Sequence, residues 1–253
     1  MKKVLGVFDL EVRRRTTRRT TMGDVLDHIK TIGFKPASVI DVGVAYGTPD
    51  LYQCFPDARF LLVEPMAEWE PTLKKILNRI HGDYVLAAAG PLAGTATLNV
   101  HEDLSGTTAL PERGGTALTG TVREVRMVRL DTLCREMNLE GPLLIKVDVQ
   151  GAELSVMDGA TGVLDETEVV ILETNLMEFF ENGPQFYDVV HYMKQRGFVV
   201  YDVIGGHYRP LDNALAGMDL VFVKDAGLFR KSPAYVDPAQ RGKLTRSIAR
   251  RRS

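Results

Sequence analysis

Between Ser38 and Gln195 the chain alternates short apolar runs with segments of helical spacing, and few folds tolerate that order. The runs Ser38–Asp41, Phe60–Glu64, Tyr84–Ala89, Leu143–Asp148 and Val169–Glu173 read as strands. They are apolar almost throughout rather than at every second residue, the pattern of strands covered on both faces. Asp50–Phe55, Glu68–Ile80, Asp131–Met137, Ala152–Leu164 and Phe186–Gln195 carry helical spacing, as does Asp24–Ile32 upstream, which Gly33 and Pro36 stop. Asp131 reads as a helix N-cap. Strand and helix repeated in this way predict an α/β protein with a parallel, doubly wound sheet. Two late strands, Phe198–Val203 and Asp219–Val223, predict an antiparallel edge. Thr95–Val100 reads as a short antiparallel addition, and Val122–Leu130 alternates with a period of two. The stretch Leu104–Gly120, rich in Gly, Thr and Ser, lacks periodicity and is expected to be a functional or mobile loop.

At 253 residues, 45% hydrophobic and 25% charged, the chain has the composition of an ordinary soluble globular protein. The expected organisation is one domain over residues 23–228, with a basic arm at 1–22 and a basic tail at 229–253. The net charge of −2 conceals balances of +5 over residues 1–20 and +6 over residues 241–253, which leaves −13 on the body between them. Such arms suit an anionic surface, but terminal charge runs are more often solvated tails, and that is the expectation here. No aromatic interleaving points to nucleic acid. No apolar run reaches the length of a spanning helix, and Met1–Leu10 makes a poor signal peptide. Cys54 and Cys134 stand alone, without metal-ligand or disulfide spacing, so the cytosol is the expected compartment.

The first strand ends on Asp41 and breaks into a turn punctuated by Gly43 and Gly47. Glycines there let the backbone approach a ligand where a Cβ would collide. A dinucleotide fingerprint wants Gly-x-Gly-x-x-Gly at a helix N-terminus aimed at pyrophosphate, whereas an acidic lead residue repels phosphate. The pattern Asp-x-Gly-x-x-x-Gly, followed by a strand ending on Glu64, resembles the adenosylmethionine site of class I methyltransferases. Glu64 suits a ribose diol. Asp41, Glu64, Asp148 and Glu173 all end strands, so in a parallel sheet they line one crevice. Buried acids need partners, and a ligand rich in hydroxyls with an amine would supply them. Each carboxylate alone is better explained as a cap for the following helix, but the four together favour the shared crevice.

Lys146-Val147-Asp148-Val149-Gln150-Gly151-Ala152-Glu153-Leu154, with Met157-Asp158-Gly159-Ala160 just after, resembles the signature of FkbM-type methyltransferases. Val128-Arg129-Leu130-Asp131-Thr132-Leu133, Val63-Glu64-Pro65, Ser105-Gly106-Thr107-Thr108 and Asp219-Leu220-Val221-Phe222-Val223 fit the same family. The resemblance covers roughly Met22 to Lys224. Gln150 stands where Glu is frequent, and Thr107-Thr108 where serines are frequent.

The resemblance implies a Rossmann-like class I fold: a mostly parallel seven-stranded sheet whose last strand is antiparallel. It implies adenosylmethionine as cofactor and the O-methylation of a natural product, sugar or glycan. Carried over by position, Asp41, Gly43, Ala45, Tyr46 and Gly47 form the turn under the methionine end. Glu64 binds the ribose, Pro65 and Met66 flank the adenine, and Ala87 and Ala88 pass its ring. Asp148 is the candidate general base, with Glu173, Asn175 and His207 as supporting groups; His101 is a further candidate. An ordinary carboxylate is a weak base for an alcohol and needs desolvation, a second group or a metal. A divalent ion on Asp148, Glu173 and a neighbouring Asn or His is chemically sensible, but no ligand motif is present and no metal is predicted. Trp69 is expected as half-buried scaffold. The rivals are a catalytically silent subunit on the same fold, docking through its basic arms, and a nicotinamide-dependent oxidoreductase, which the acidic lead residue disfavours. Nothing in the residues specifies the acceptor or the oligomeric state.

Overall fold

A computed structural model describes residues 19–102, 104, 106–113 and 120–242. The basic runs at 1–18 and 243–253, and Ser105, lie outside the described residues. Among the described residues, ten strands and six α-helices follow in the order α1 (Met22–Thr31), β1 (Ser38–Val42), α2 (Pro49–Cys54), β2 (Arg59–Glu64), α3 (Glu70–Leu77), β3 (Gly82–Leu86), β4 (Ala88–Ala89), β5 (Gly94–Val100), β6 (Thr121–Val128), α4 (Leu130–Glu136), β7 (Leu143–Val147), α5 (Glu153–Asp158), β8 (Thr167–Asn175), α6 (Phe186–Gln195), β9 (Phe198–Tyr208) and β10 (Leu215–Lys224). Seven strands form one sheet in the order β3-β2-β1-β7-β8-β10-β9, and β4-β6-β5 form a second, smaller sheet. Every pairing from β3 across to β8 is parallel; β10 runs antiparallel to both its neighbours.

The apolar runs of β1, β2, β7 and β8 became strands buried almost throughout, whereas β3 at the sheet edge is only half-buried. The alternate residues of the buried strands feed two cores. Ile40, Leu61, Ile145 and Val170 pack with Leu133 of α4, Val156 of α5 and Val189 of α6. Val39, Phe60, Leu144 and Ile171 pack with Leu26 of α1, Leu51 of α2 and Leu73 of α3. Local chemistry sets the helix ends. Thr21 accepts from the Asp24 amide at the start of α1, Pro49 opens α2, and Gln185 with Asp188 forms a capping box on α6. No helix among the described residues is long and apolar enough to cross a membrane.

Several expectations needed correcting. The run Tyr84–Ala89 splits: β3 stays in the main sheet, while β4 pairs with β6 in the second one. The helix expected over Ala152–Leu164 stops at Asp158, and a separate 3-10 turn covers Val163–Glu166. The segment Glu68–Ile80 likewise divides into a 3-10 turn, Ala67–Trp69, and a helix that ends at Leu77. Arg129, not Asp131, holds the N-cap position of α4. Asp131 instead accepts from the Gly162 and Val163 amides, so it serves the turn after α5. The two late strands do form the expected antiparallel edge, with β10 inside and β9 outermost. The Leu104–Gly120 stretch is not free of pairing, since Thr108 bridges to Asn99 and Glu112 to Phe180. Arg19 pairs with Asp202, and Thr20 O accepts from the Gly205 amide, so the chain is packed before α1 begins.

Candidate active site

The carboxyl ends of β1, β2, β7 and β8 open into a cavity of about 700 Å³, roofed by the second sheet through Ala88, Ala89, Ala96, Leu98 and Met127. A parallel sheet builds such a crevice by ending neighbouring strands on one edge. Gly43 makes the crevice narrow at its base. Its φ is +75°, and its amide donates to Val63 O at 2.9 Å. A Cβ at Gly43 would lie 1.8 Å from Asp148 O, so the two loops touch backbone to backbone.

Gly43, Ala45, Tyr46, Gly47, Glu64, Pro65, Ala87, Ala88, Asp148 and Glu173 all line the cavity. The Glu64 carboxylate is buried, accepting from the Ala45 amide through Oε2 and the Met66 amide through Oε1, each at 3.0 Å. Burial pushes its pKa up, against the pull of those amides. Each oxygen retains a lone pair for a further donor. Beside it the rings of Tyr46 and Trp69 meet edge to face, with centroids 4.5 Å apart. Trp69 lines the cavity and its buried Nε1 has no hydrogen-bond partner among the described residues.

Five expected positions are placed elsewhere. Asp41 is fully buried beneath the turn and does not line the cavity; Tyr52 donates to its Oδ2 at 2.6 Å. Met66 packs with Leu98 and Val100 under the second sheet. Asn175 lies past Glu173, where β8 pairs with Gly217 and bridges to Gln185, beyond the lining residues. His207 is exposed on the outer strand, two strands from Glu173. His101 also stays outside the lining, with Nε2 2.7 Å from Glu112 Oε1.

The partners of the buried acids turn out to belong to the protein itself. Parallel pairing sets Lys146 beside Asp41. The nearly buried Lys146 Nζ lies 3.6 Å from Asp41 Oδ1 and 3.2 Å from Asp148 Oδ2. Burial alone would lower the Lys146 pKa, but the two carboxylates outweigh it and raise it. Gln150 Nε2 donates to Asp148 Oδ1 at 3.2 Å and to Glu173 Oε2 at 2.8 Å. Gln150 adopts φ +57°, and the turn that holds it there hangs on Glu153, whose Oε1 accepts from the Val149 and Gly151 amides. Burial pushes Asp148 up, but the Lys146 charge and bonds from Glu173, Lys146 and Gln150 bring it below the usual range. Glu173 is driven up by burial and then by Asp148. Lys146, Gln150, Glu153 and Asp219 were therefore missed as site residues. Lys146 carried one signal, a charge inside an apolar run, and Gln150 another, an amide where the family often has an acid.

Glu153 is buried, and that burial pushes its carboxyl up to about 7. A folded value above the ordinary 4.5 means its contribution to stability is fully present below about pH 4.5 and lost as pH rises through about 7. The melting temperature of the free protein should therefore fall between pH 5 and pH 8. Glu153→Gln should flatten that slope in thermal melts; an unchanged slope would remove Glu153 from the account.

Among the described residues no three His, Cys, Asp or Glu side chains converge to hold a metal ion. Comparison with curated proteins gives no significant match. Among solved structures, magnesium protoporphyrin IX methyltransferase from Synechocystis PCC 6803 with bound SAM is 9% identical, with a TM-score of 0.45 over 88% of this chain and 90% of that one. The O-methyltransferase from Bacillus cereus in complex with SAH is 13% identical, with a TM-score of 0.45 and 88% of each chain covered. Those likenesses are distant. The family described as Methyltransferase FkbM domain matches residues 41–200, which takes in the glycine turn, Glu64, the second sheet, Lys146, Asp148 and Glu173. The chain belongs to the FkbM methyltransferase domain family.

Proposed function

We propose that this protein transfers a methyl group from adenosylmethionine to a hydroxyl of a small-molecule natural product, sugar or glycan. The observation that carries the reading is one cavity with two unlike ends. At one end Glu64 offers lone pairs to a ribose diol, and Ala87, Ala88, Leu98 and Trp69 form an apolar slot for a purine. The unpartnered Trp69 Nε1 suits the same ligand. At the other end Asp148, Glu173, Asp219 and Lys146 line the wall. The bound cofactor supplies an electrophilic methyl carbon; the chain's own residues hold, orient and desolvate the acceptor beside it.

Lys146 is the sole cation among the described lining residues, and two carboxylates already engage it. An uncharged acceptor fits that wall better than a phosphate or carboxylate. A second hollow, lined by Asn182, Pro184 and Asp188, shares Leu110 and Ser155 with the main cavity. Those shared walls favour an acceptor longer than one ring. The same reading places the protein in the reducing cytosol, in keeping with the free, buried Cys54 and Cys134.

Titration calorimetry with adenosylmethionine and adenosylhomocysteine tests the cofactor half. Saturable heat is expected, and none at high ligand concentration would end the proposal. Glu64→Gln should weaken affinity by about 1.5–3 kcal/mol, the worth of hydrogen bonds to a charged group. Methyl transfer to a panel of glycosides, polyols and phenols, set against amines and thiols, tests the acceptor half.

A further inference from the structure

Three carboxylates face the acceptor end of the cavity, and among the described residues only one of them has a side chain without a hydrogen-bond partner. Both oxygens of Asp148 are engaged, Oδ2 by Lys146 and Oδ1 by Gln150. Glu173 takes the other bond from the Gln150 amide and is bonded to Asp148. Asp219 lines the same cavity from β10, directly across the register from Glu173. No hydrogen bond or ion pair holds its side chain among the described residues.

The backbone around Asp219 is shaped to leave it room. Pairing between β9 and β10 slips on the Gly217 side of Asp219, which turns this stretch of strand relative to its neighbour. Gly205 on β9 adopts φ +65°, and a Cβ there would lie 2.6 Å from Asp219 Oδ2. Only glycine therefore leaves the carboxylate its present position. The charged groups facing Asp219 are Lys146 of β7, Asp148 just beyond it and Glu173 of β8. From the other side β9 presents Ile204 and Gly205, neither of them charged. The exposed His207 lies against Gly217, two residues along β10.

We propose that Asp219, not Asp148, is the catalytic residue that takes the proton from the acceptor hydroxyl. The proposal rests on the hydroxyl-methylation reading above. The acceptor O–H bond breaks with its proton passing to the Asp219 carboxylate, and the oxygen's electron pair forms the new O–CH3 bond. The C–S bonding pair stays on sulfur as the neutral thioether leaves. The proton then passes from Asp219 to solvent. Burial, then the Asp148 charge, lifts Asp219 to about 6 against the pull of Lys146. It is therefore ionised at neutral pH, yet more basic than an ordinary aspartate. Asp148, pushed down, is the weaker base, and Glu173, pushed up, keeps its proton. Those two position the acceptor and Lys146 rather than remove the proton.

The test uses the full chain as wild type, Asp219→Asn and Asp219→Glu. In carboxyl-labelled protein with adenosylhomocysteine bound, 13C NMR should show a resonance that titrates near 6 and vanishes in Asp219→Asn. In methyl transfer to the best hydroxylated acceptor of the panel, Asp219→Asn should lower kcat about 100-fold or more. KM for adenosylmethionine should stay within about threefold and the acid limb of the pH profile should disappear, with Asp219→Glu restoring part of both. A titration near 4, or an Asn variant with wild-type rate and acid limb, overturns the role given to Asp219. Transfer by the wild type to amines or thiols alone refutes the hydroxyl reading, and the role with it. The wild-type acceptor pattern and the variant kinetics thus fail separately.

Discussion

Gly43→Ala is expected to weaken adenosylhomocysteine binding at least about 100-fold by calorimetry, a loss of about 2.7 kcal/mol, and to lower the melting temperature as well. Two costs combine. A residue with a Cβ pays roughly 1–2 kcal/mol for the left-handed backbone at φ +75°. The new methyl group would also overlap Asp148 O, 1.8 Å away, and forcing it in costs about 1–3 kcal/mol through backbone shifts. Those shifts open the seam between the loops after β1 and β7, where the Asp148 amide donates to Val42 O at 3.0 Å. Gly43 and Asp148 both line the cavity at that seam. Gly33→Ala is the control, since Gly33 has φ +98° with nothing within 4 Å of its would-be Cβ. It should lose about 1 kcal/mol of stability and keep its cofactor affinity. Equal affinities in the two variants would show that the Gly43 contact does not shape the site.

Lys146→Met should destabilise the fold by about 3–5 kcal/mol in urea titrations, because it strands one fully buried and one half-buried carboxylate. Asp41 would keep only the Tyr52 hydroxyl as a side-chain partner. The pH window of the effect follows from the signs. Lys146 is raised above 10.5 in the folded protein, so its contribution is fully present below about pH 10.5 and fades only above it. Asp148 is depressed below 3.8, so its contribution is present above that value and is lost as pH falls through the folded one. Across neutral pH both are in force, and the variant forfeits both. Adding Asp41→Asn to Lys146→Met should recover part of the loss. A single variant within about 1 kcal/mol of the wild type would show that the lysine is not what holds these acids.

The strands that form the floor of the site were legible because a doubly covered strand is written as an apolar run, as in β1 and β7. Helix α6 was legible to the residue, since its apolar spacing, Gln185 and Gly197 mark both ends. What could not be read was who stands beside whom. Asp41 next to Lys146 is a fact of register between strands a hundred residues apart, and periodicity assigns a face but not a neighbour. Asp219 faces the cavity only because β10 inserts between β8 and β9, a placement with no local signature. The break at Ala87 that gives β4 to the roof occurs inside an unbroken apolar run. Gln150 stood out in the sequence as a neutral residue where the family often has an acid. Its structural sense is that one amide donates to both Asp148 and Glu173, where an acid would offer no such donor and add a negative charge.

The chain has a single tryptophan, and that indole lies against Tyr46 on the cavity wall. The tryptophan emission of the whole protein therefore originates at one address, on the wall of the cavity proposed for the cofactor. Occupancy can be followed by light, without label and without turnover.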